Sequence, residues 1–367
     1  MDSPIADFVR SYAASGTIRF HMPGHKGKGP LGCEALDITE IAGADSLYEA
    51  GGIIAESEEN ARRLFGTGRT LYSTEGSSQC IRAMLQLILQ NRKPGTSPVV
   101  LAARNVHKAF IYAAALLDLR PEWLWPEGDS CSLLGCPINA RGVAAAMDAL
   151  PEPPAAVYIT SPDYLGNLAD IEAIADVVHE RGSILAVDNA HGAYLHFLEK
   201  PLHPVDLGAD ICCDSAHKTL PALGQSALLF TRGFAPDLVR LRASVYGTSS
   251  PSYPMLASLD GARQWLEDGG AEAYRRTARA VARLRTRFPS LGGALPLDPA
   301  RFTLKVKNGP AFARALEARG VFPEMEDGGH VVFICTAQDG PEDFDRLTRG
   351  LEELSHLLGP CPPVPPP

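Results

Sequence analysis

Short apolar runs alternate with amphipathic segments along most of the chain, as strands alternate with helices. The runs that predict strands are residues 70–73, 98–102, 155–160, 184–187, 210–213 and 227–230. Apolar residues recur at helical spacing in residues 56–64, 81–89, 107–117 and 171–179. Short strands that are apolar on both faces and separated by helices indicate a mostly parallel sheet with helices on both sides. The predicted fold class is therefore α/β.

The two ends of the chain depart from this alternation. Ser3-Pro4 predicts the start of a helix that reaches Ala14, and residues 20–54 are rich in Gly and Pro without a regular pattern. The amphipathic stretch 255–285 predicts one long helix, followed by strand, helix, strand and helix at 302–306, 310–318, 330–335 and 341–357. The predicted division is an N-terminal helix and active-site arm (1–54), a large domain (55–254), a linking helix (255–285), a small α+β domain (286–358) and a mobile proline-rich tail (359–367).

Composition narrows the class of protein. The chain has 367 residues, of which 45% are apolar and 21% charged, as in a soluble globular enzyme with one large and one smaller domain. Its net charge of −9 argues against nucleic acid as a partner. The sequence shows neither a secretion signal nor an apolar run long enough to cross a bilayer, so we expect a cytoplasmic protein. The eight cysteines form no CxxC pair, and we expect no metal site.

A lysine and an aspartate follow two consecutive predicted strands. Asp188 ends the run 184–188, and Lys218 comes shortly after the run 209–213. Ligands of open α/β sheets bind outside the carboxyl ends of the strands, where a shielded lysine becomes a nucleophilic amine. Pyridoxal phosphate (PLP) requires such a lysine for its aldehyde and a carboxylate for its ring nitrogen. Taken singly, Lys218 could be a surface lysine and Asp188 a helix N-cap.

Residues 74–79 join a predicted strand to a helix and suit a phosphate group. Gly76 allows a tight turn, while Ser77 and Ser78 place hydroxyl and N–H groups at the helix N-terminus. The alternative is an ordinary helix cap. The phosphate interpretation gains weight because the other partners of PLP are also present.

Histidines offer weaker signals. His107 follows the strand 98–102, where an imidazole could stack on a pyridine ring, although it could equally be an ordinary polar residue. His21 and His25 cannot form a helical metal pair, because Pro23-Gly24 lies between them. Spacing alone leaves residues 21–29 as a basic loop of unknown role.

Together these segments resemble the PLP-dependent ornithine/lysine/arginine decarboxylases of fold type I, the aspartate-aminotransferase-like fold. The resemblance covers about residues 18–357, with its motifs in the family's order. The matching segments are 21–27, 37–40, 43–47, 76–78, 104–108, 160–166, 187–192, 215–220 and 248–253. It implies a large PLP-binding domain with a mostly parallel sheet, followed by a small α+β domain.

The resemblance also implies a role for individual residues. Lys218 carries the internal aldimine, Asp188 holds the pyridinium nitrogen, and His107 stacks on the ring. The implied catalytic residues are Lys218, Asp188, His107 and His217. The implied cofactor-binding residues are Gly76, Ser77, Ser78, His107, Asp188, Ala190, His191, Ser215, His217, Lys218 and Thr248.

The activity implied is decarboxylation of an amino acid, preferably a basic one such as lysine, ornithine or arginine, through an external aldimine and a quinonoid. The implied assembly is a homodimer with its site at the subunit boundary. Glu40, Asp45 and Glu75 are the candidates for binding the distal charge of the substrate. Alternatives are another PLP reaction (an aminotransferase, with Arg301 binding the carboxylate, or a lyase) and a PLP-binding regulatory subunit without turnover.

The sequence departs from the family pattern at three places. Asn189 stands where an acidic residue is common, and Asp163 stands where a threonine is more usual. Only the proline-rich tail follows the small domain, where family members usually carry a further segment that helps shape the substrate pocket.

Overall fold

A computed structural model describes residues 2–92, 94, 96–126, 132–293 and 295–360. In these residues the helices are α1 (Pro4–Ala14), α2 (Ile53–Phe65), α3 (Gly76–Asn91), α4 (Lys108–Leu116), α5 (Ala140–Asp148), α6 (Ile171–Glu180), α7 (Ala216–Thr219), α8 (Pro236–Val245), α9 (Tyr253–Trp265), α10 (Ala271–Arg287), α11 (Gly309–Glu317) and α12 (Pro341–Glu353). The strands are β1 (Arg69–Ser73), β2 (Ser97–Ala103), β3 (Pro121–Leu124), β4 (Pro154–Thr160), β5 (Ile184–Asp188), β6 (Ile211–Asp214), β7 (Ala227–Thr231), β8 (Arg301–Lys305), β9 (Met325–Glu326) and β10 (His330–Ile334).

Strands β1 to β7 form one large sheet in the order β1-β7-β6-β5-β4-β2-β3. The pairs from β3 across to β6 are parallel, whereas β7 runs antiparallel to both of its neighbours. One apolar core fills the face under α1, α2, α5, α6 and α9, and a second core fills the opposite face under α3, α4 and α8. The predicted α/β class with a mostly parallel, doubly covered sheet is confirmed.

The C-terminal part builds a separate, antiparallel sheet in the order β8-β10-β9. Its core joins the inner faces of α10, α11 and α12 to apolar residues of the sheet such as Phe302 and Val331. This is the small α+β arrangement expected from the sequence. The proposed domain boundaries remain a prediction, and most of the proline-rich tail, from residue 361 onward, lies outside the described residues.

The long helix expected over 255–285 is wrong as a single element. Helix α9 ends at Trp265, a π turn spans Leu266–Gly270, and α10 begins at Ala271. Gly269 has a φ of 123°, which an L side chain rarely adopts. A helical pattern on both sides of the break hid it, because the two helices carry apolar faces of similar spacing.

Five elements were missed by the sequence pattern: β3, α5, α8 and the very short α7 and β9, which span four and two residues. Strand β3 and helices α5 and α8 each bury only one or two side chains in the core, such as Leu124 of β3 and Val239 of α8. Their periodic signal is therefore weak. Within the described ranges, every helix is too short or too polar to cross a lipid bilayer.

The register of the central strands aligns their carboxyl ends along one edge of the sheet. Thr160 at the end of β4 pairs with Asp188 at the end of β5, and Asp188 pairs with Cys213 of β6. Because these strands are parallel, the loops that follow them open on the same edge of the sheet. This edge is where the predicted functional residues lie.

Candidate active site

A cavity of about 530 Å³ lies at the carboxyl edge of the central strands. The strand ends supply Thr160 and Asp188, the start of α4 supplies His107, and α7 supplies Lys218. The lining residues are Ser77, Arg104, Asn105, Val106, His107, Lys108, Leu133, Leu134, Thr160, Tyr164, Asp188, Ala190, His191 and Lys218. The fold thus gathers residues from six separate stretches of sequence into one site.

Asp188 lies at the floor of this cavity with only 2% of its surface exposed. Its carboxylate accepts a hydrogen bond from the backbone N–H of Ala190 at 3.2 Å and lies 3.8 Å from the Cys213 sulfur. Burial raises the pKa of the Asp188 carboxyl, against the opposing charges of Lys218 and His107. Among the described residues no cation forms an ion pair with it. A buried carboxylate in this state is suited to hold a cationic group that enters the cavity, such as a protonated ring nitrogen.

Lys218 projects from the short helix α7 into the same cavity. Its Nζ atom lies 3.1 Å from Nε2 of His191. Burial lowers the pKa of Lys218, and the negative charge of Asp188 only partly opposes this shift. A lowered pKa raises the fraction of Lys218 present as the neutral, nucleophilic amine, as Schiff-base chemistry requires.

His107 is the N-cap residue of α4, and its position is fixed by the helix start. Nδ1 accepts a hydrogen bond from the backbone N–H of Ala109 at 3.2 Å, which leaves Nε2 to carry the ring proton. Partial removal from water lowers the pKa of His107. The result is a neutral imidazole beside Asp188, as a ring that stacks on a planar ligand should be. Ala190 also lines the cavity, as predicted.

The residues of the predicted phosphate site come together where α3 begins and the loop before α7 ends. Ser215 Oγ lies 2.9 Å from Ser77 Oγ, and Gly76 adopts a φ of 72° that lets the chain turn into the helix. Ser78 follows in the first turn of α3. Since α3 is 16 residues long, its N-terminus attracts an anion. Of this group, Ser77 lines the cavity itself.

Five predicted site residues are not part of the cavity lining: Gly76, Ser78 and Ser215 of the predicted phosphate site, and also His217 and Thr248. His217 points its Nδ1 at the backbone oxygen of Ser226, 2.9 Å away. Thr248 is exposed, and its N–H donates to the Glu75 carboxylate. Their roles in cofactor binding or catalysis remain predictions.

The candidates for the distal charge of the substrate are placed away from the cavity in this chain. Asp45 accepts hydrogen bonds from the N–H groups of Ser46, Gly51, Gly52 and Ile54, and so caps α2. Glu40 is exposed and accepts from Thr39, while Glu75 accepts from Thr248. None of the three belongs to the cavity lining of the described residues.

Sequence reasoning missed a carboxylate that is hydrogen-bonded to a residue of the cavity lining. Tyr164 lines the cavity and donates its hydroxyl proton to Glu324 Oε1 at 2.6 Å. Burial and the neighbouring Glu324 raise the pKa of Tyr164 to about 12. The charge of Glu324 also acts on Lys218. Tyr164 lies within the motif of residues 160–166. Glu324 lies 160 residues further along, and no local sequence pattern connects the two.

Arg301 is the arginine that would bind the substrate carboxylate in the aminotransferase alternative. In the structure its guanidinium has other partners. It is 1% exposed, lies outside the cavity lining, and donates from one guanidinium nitrogen to Nδ1 of His191 at 2.9 Å. Asp298 lies 3.9 Å from the guanidinium. In this structure Arg301 therefore reaches the cavity through His191.

Both departures within the motifs have a structural account. The buried Asn189 donates its side-chain N–H to Asp214 Oδ1 at 2.6 Å, and the other Asp214 oxygen lies 2.9 Å from His203 Nε2. An acidic side chain at 189 would face the Asp214 carboxylate. Asp163 accepts from the backbone and side-chain N–H groups of Asn167, and so holds the turn after β4.

Comparisons with known proteins agree on one family. The profile for "Orn/Lys/Arg decarboxylase, major domain" matches residues 3–302. An arginine decarboxylase of Halalkalibacterium halodurans is 29% identical over 97% of this chain and 77% of the relative. The constitutive lysine decarboxylase of Escherichia coli is 26% identical over 76% of this chain and 42% of the relative.

Solved structures share the fold. The structure of Escherichia coli constitutive lysine decarboxylase superimposes with a TM-score of 0.78 and 22% identity, over 97% of this chain and 61% of that one. The chain thus spans less than two thirds of that enzyme. A structure of SPT with PLP gives a TM-score of 0.66 at 14% identity, over 86% of this chain.

Proposed function

The chain belongs to the Orn/Lys/Arg decarboxylase family, and from this premise we propose that it removes the α-carboxylate of a basic amino acid. The family comprises PLP-dependent amino-acid decarboxylases, and PLP is the cofactor. The observation that carries the proposal is the convergence of Lys218, Asp188 and His107 on one cavity. These are the three side chains that the cofactor needs at its aldehyde, its ring nitrogen and its ring face.

Asp188 and Lys218 have different roles towards the cofactor. When bound, PLP supplies an aldehyde that captures the amine and a protonated ring that takes up the electrons of the breaking bond. The Asp188 carboxylate keeps the proton on the ring nitrogen, because a buried carboxylate without an ion-pair partner is stabilised by a cation. The Lys218 amine would hold the cofactor through its aldehyde and would supply the proton that the substrate α-carbon needs.

The surrounding residues orient and shield the reacting groups. Neutral His107 presents an uncharged face to the ring, and Ala190 supports the other face with a small side chain. Ser77 and Ser215 bind the phosphate at the start of α3, together with the Ser78 region. Asp188 and His191 are buried and so have little contact with water, which strengthens the electrostatic interactions inside the site.

The preference for a basic substrate rests on Glu324. Its carboxylate accepts a hydrogen bond from Tyr164, which lines the cavity, and its charge acts on Lys218. A substrate anchored at Lys218 would extend its distal ammonium or guanidinium towards this carboxylate. Relatives named arginine decarboxylase and lysine decarboxylase are consistent with this choice.

We also propose that the chain works as a homodimer. The segment before α2 exposes large apolar side chains, among them Ile18 at 80% and Phe20 at 93%. Such side chains on one irregular arm are suited to cover a second copy. The arm would then bring residues 21–27 and 37–47 towards the site at the subunit boundary.

The test is to add PLP to the purified chain and follow carbon dioxide release from lysine, ornithine and arginine. Lys218→Ala should abolish both the absorbance of the cofactor–lysine imine and turnover. Lys200→Ala, at an exposed lysine on a loop, is the matched control and should retain both. A Lys218→Ala protein with full absorbance and full turnover would refute the assignment. Release of a keto acid instead of carbon dioxide would identify an aminotransferase.

A further inference from the structure

Lys218, His191 and Arg301 form a continuous chain of hydrogen-bonding atoms. Lys218 Nζ lies 3.1 Å from His191 Nε2, and His191 Nδ1 lies 2.9 Å from a guanidinium nitrogen of Arg301. All three side chains come from different parts of the fold: α7, the loop after β5, and the first residue of β8. The small α+β part of the chain therefore reaches the reactive lysine through a single imidazole.

The hydrogen-bonding capacity of each group determines where the protons lie along this series of side chains. An arginine has only N–H donors, so the Nδ1 of His191 must accept. A neutral imidazole that accepts at Nδ1 carries its proton at Nε2, which then donates to Lys218. An ammonium group has no lone pair, so Lys218 accepts this hydrogen bond only as the neutral amine.

We propose that Arg301 is a positioning residue that, through the tautomer of His191, holds Lys218 as a neutral and nucleophilic amine. The proposal rests on the function proposed above, in which Lys218 attacks an aldehyde. It assigns a purpose to a fully buried arginine that does not line the cavity. It also explains why His191, which the resemblance implied only as a cofactor-binding residue, lies between Lys218 and Arg301.

Charged and titratable groups from several elements face Lys218 and His191. Asp188 at the end of β5 and Glu324 of the small part favour the ammonium form, whereas Arg301 on β8 disfavours it. His191 faces Arg301, Lys218, His107 and His217, and burial together with these neighbours holds its pKa well below the usual range. Tyr164 packs edge-on against the imidazole at 5.0 Å and holds the ring in place.

Two explanations of a nucleophilic Lys218 make different predictions for the His191→Leu variant. If Arg301 acted through its charge alone, His191→Leu would leave the amine as reactive as before, because the charge remains. If the hydrogen-bond chain acts, His191→Leu removes the donor to Nζ and favours the ammonium form. Arg301→Met removes both the charge and the donor, whereas Arg301→Lys keeps both.

The experiment measures the reactivity of Lys218 directly, without the cofactor. The full chain is treated with formaldehyde and cyanoborohydride over a range of pH, and methylation at Lys218 is quantified by mass spectrometry of the proteolytic peptide. Exposed Lys200 in the same sample is the internal reference. The midpoint of the rate profile reports the protonation of each amine.

The proposal expects His191→Leu and Arg301→Met to raise the Lys218 midpoint by about one pH unit, which lowers its rate about tenfold at pH values well below the wild-type midpoint. Arg301→Lys should keep the wild-type profile, and Lys200 should be unchanged throughout. If Arg301→Met fails to fold, His191→Leu and Arg301→Lys still decide the matter. An unchanged profile in His191→Leu overturns the proposal, whatever Arg301→Met shows. Failure of the proposed function would instead appear as absent cofactor imine and absent turnover in the wild type.

Discussion

Replacing Asp188 by asparagine should stabilise the chain when PLP is absent and weaken PLP binding. Asp188 is buried at the floor of the cavity, and no ion-pair partner is found for it among the described residues. Its carboxylate therefore loses hydration without gaining a full set of partners. A buried polar group left unsatisfied typically costs about 1–3 kcal/mol, and we expect the variant to recover a gain of about this size.

The pH dependence of this gain follows from the raised pKa of Asp188. A carboxyl whose pKa is higher in the folded than in the unfolded chain binds more protons when folded, so stability falls as pH rises. The fall begins near pH 4, where the unfolded carboxyl titrates, and continues until the pH passes the raised value. Asp188→Asn should remove this contribution, so its advantage should be larger at neutral pH than at mildly acidic pH.

The assay is urea denaturation of the cofactor-free chain at several pH values, followed by PLP titration. Asp260→Asn is the matched control, because Asp260 is equally buried but accepts from Ile5, Ala6, Ser57 and Arg263. That control should lose stability. With PLP present the sign should reverse for Asp188→Asn, because a charge-assisted hydrogen bond worth about 1.5–3 kcal/mol is lost, about 10- to 150-fold in affinity. A destabilised cofactor-free Asp188→Asn protein would show that the chain itself satisfies this carboxylate.

Three further predictions concern the rest of the site. Glu324→Gln should raise KM for a basic substrate about tenfold with a smaller effect on kcat, as steady-state kinetics beside Tyr164→Phe would measure; an unchanged KM would remove Glu324 from substrate recognition. Ser77→Ala should weaken binding of PLP several-fold but leave binding of unphosphorylated pyridoxal unchanged, and equal losses for both would contradict a phosphate contact. Asn189→Asp should destabilise the chain by about 3 kcal/mol in urea denaturation at neutral pH, because a second buried carboxylate would face Asp214; wild-type stability would refute this.

Most of the fold could be predicted because its strands carry strong local signals. The apolar runs that became β4, β5, β6 and β7 are buried along nearly their whole length, so their sequence pattern is unambiguous. The elements that were missed, such as β3 and α8, bury little and therefore leave little trace in the pattern. The break at Gly269 escaped because apolar spacing continues on both sides of it.

The core of the site could also be predicted, since Asp188 and Lys218 follow consecutive strands that the sheet places side by side. Their chemistry is typical of a PLP site even before any relative is considered. The roles of His217 and Thr248 were implied by resemblance alone, and the arrangement of the chain places both outside the cavity wall. The acidic candidates Glu40, Asp45 and Glu75 were drawn from nearby motifs, but local contacts such as the capping of α2 by Asp45 occupy them.

The sequence by itself determined the α/β class, the strand ends and the pair of residues that would meet the cofactor, because each of these depends on a local pattern. Only the tertiary structure brought Glu324 to Tyr164 and Arg301 to His191, across 160 and 110 positions of the chain. Such contacts arise where the small α+β part meets the loops that follow β4 and β5. No periodicity encodes them, because the partners share no element, and their proximity is a property of the packed whole.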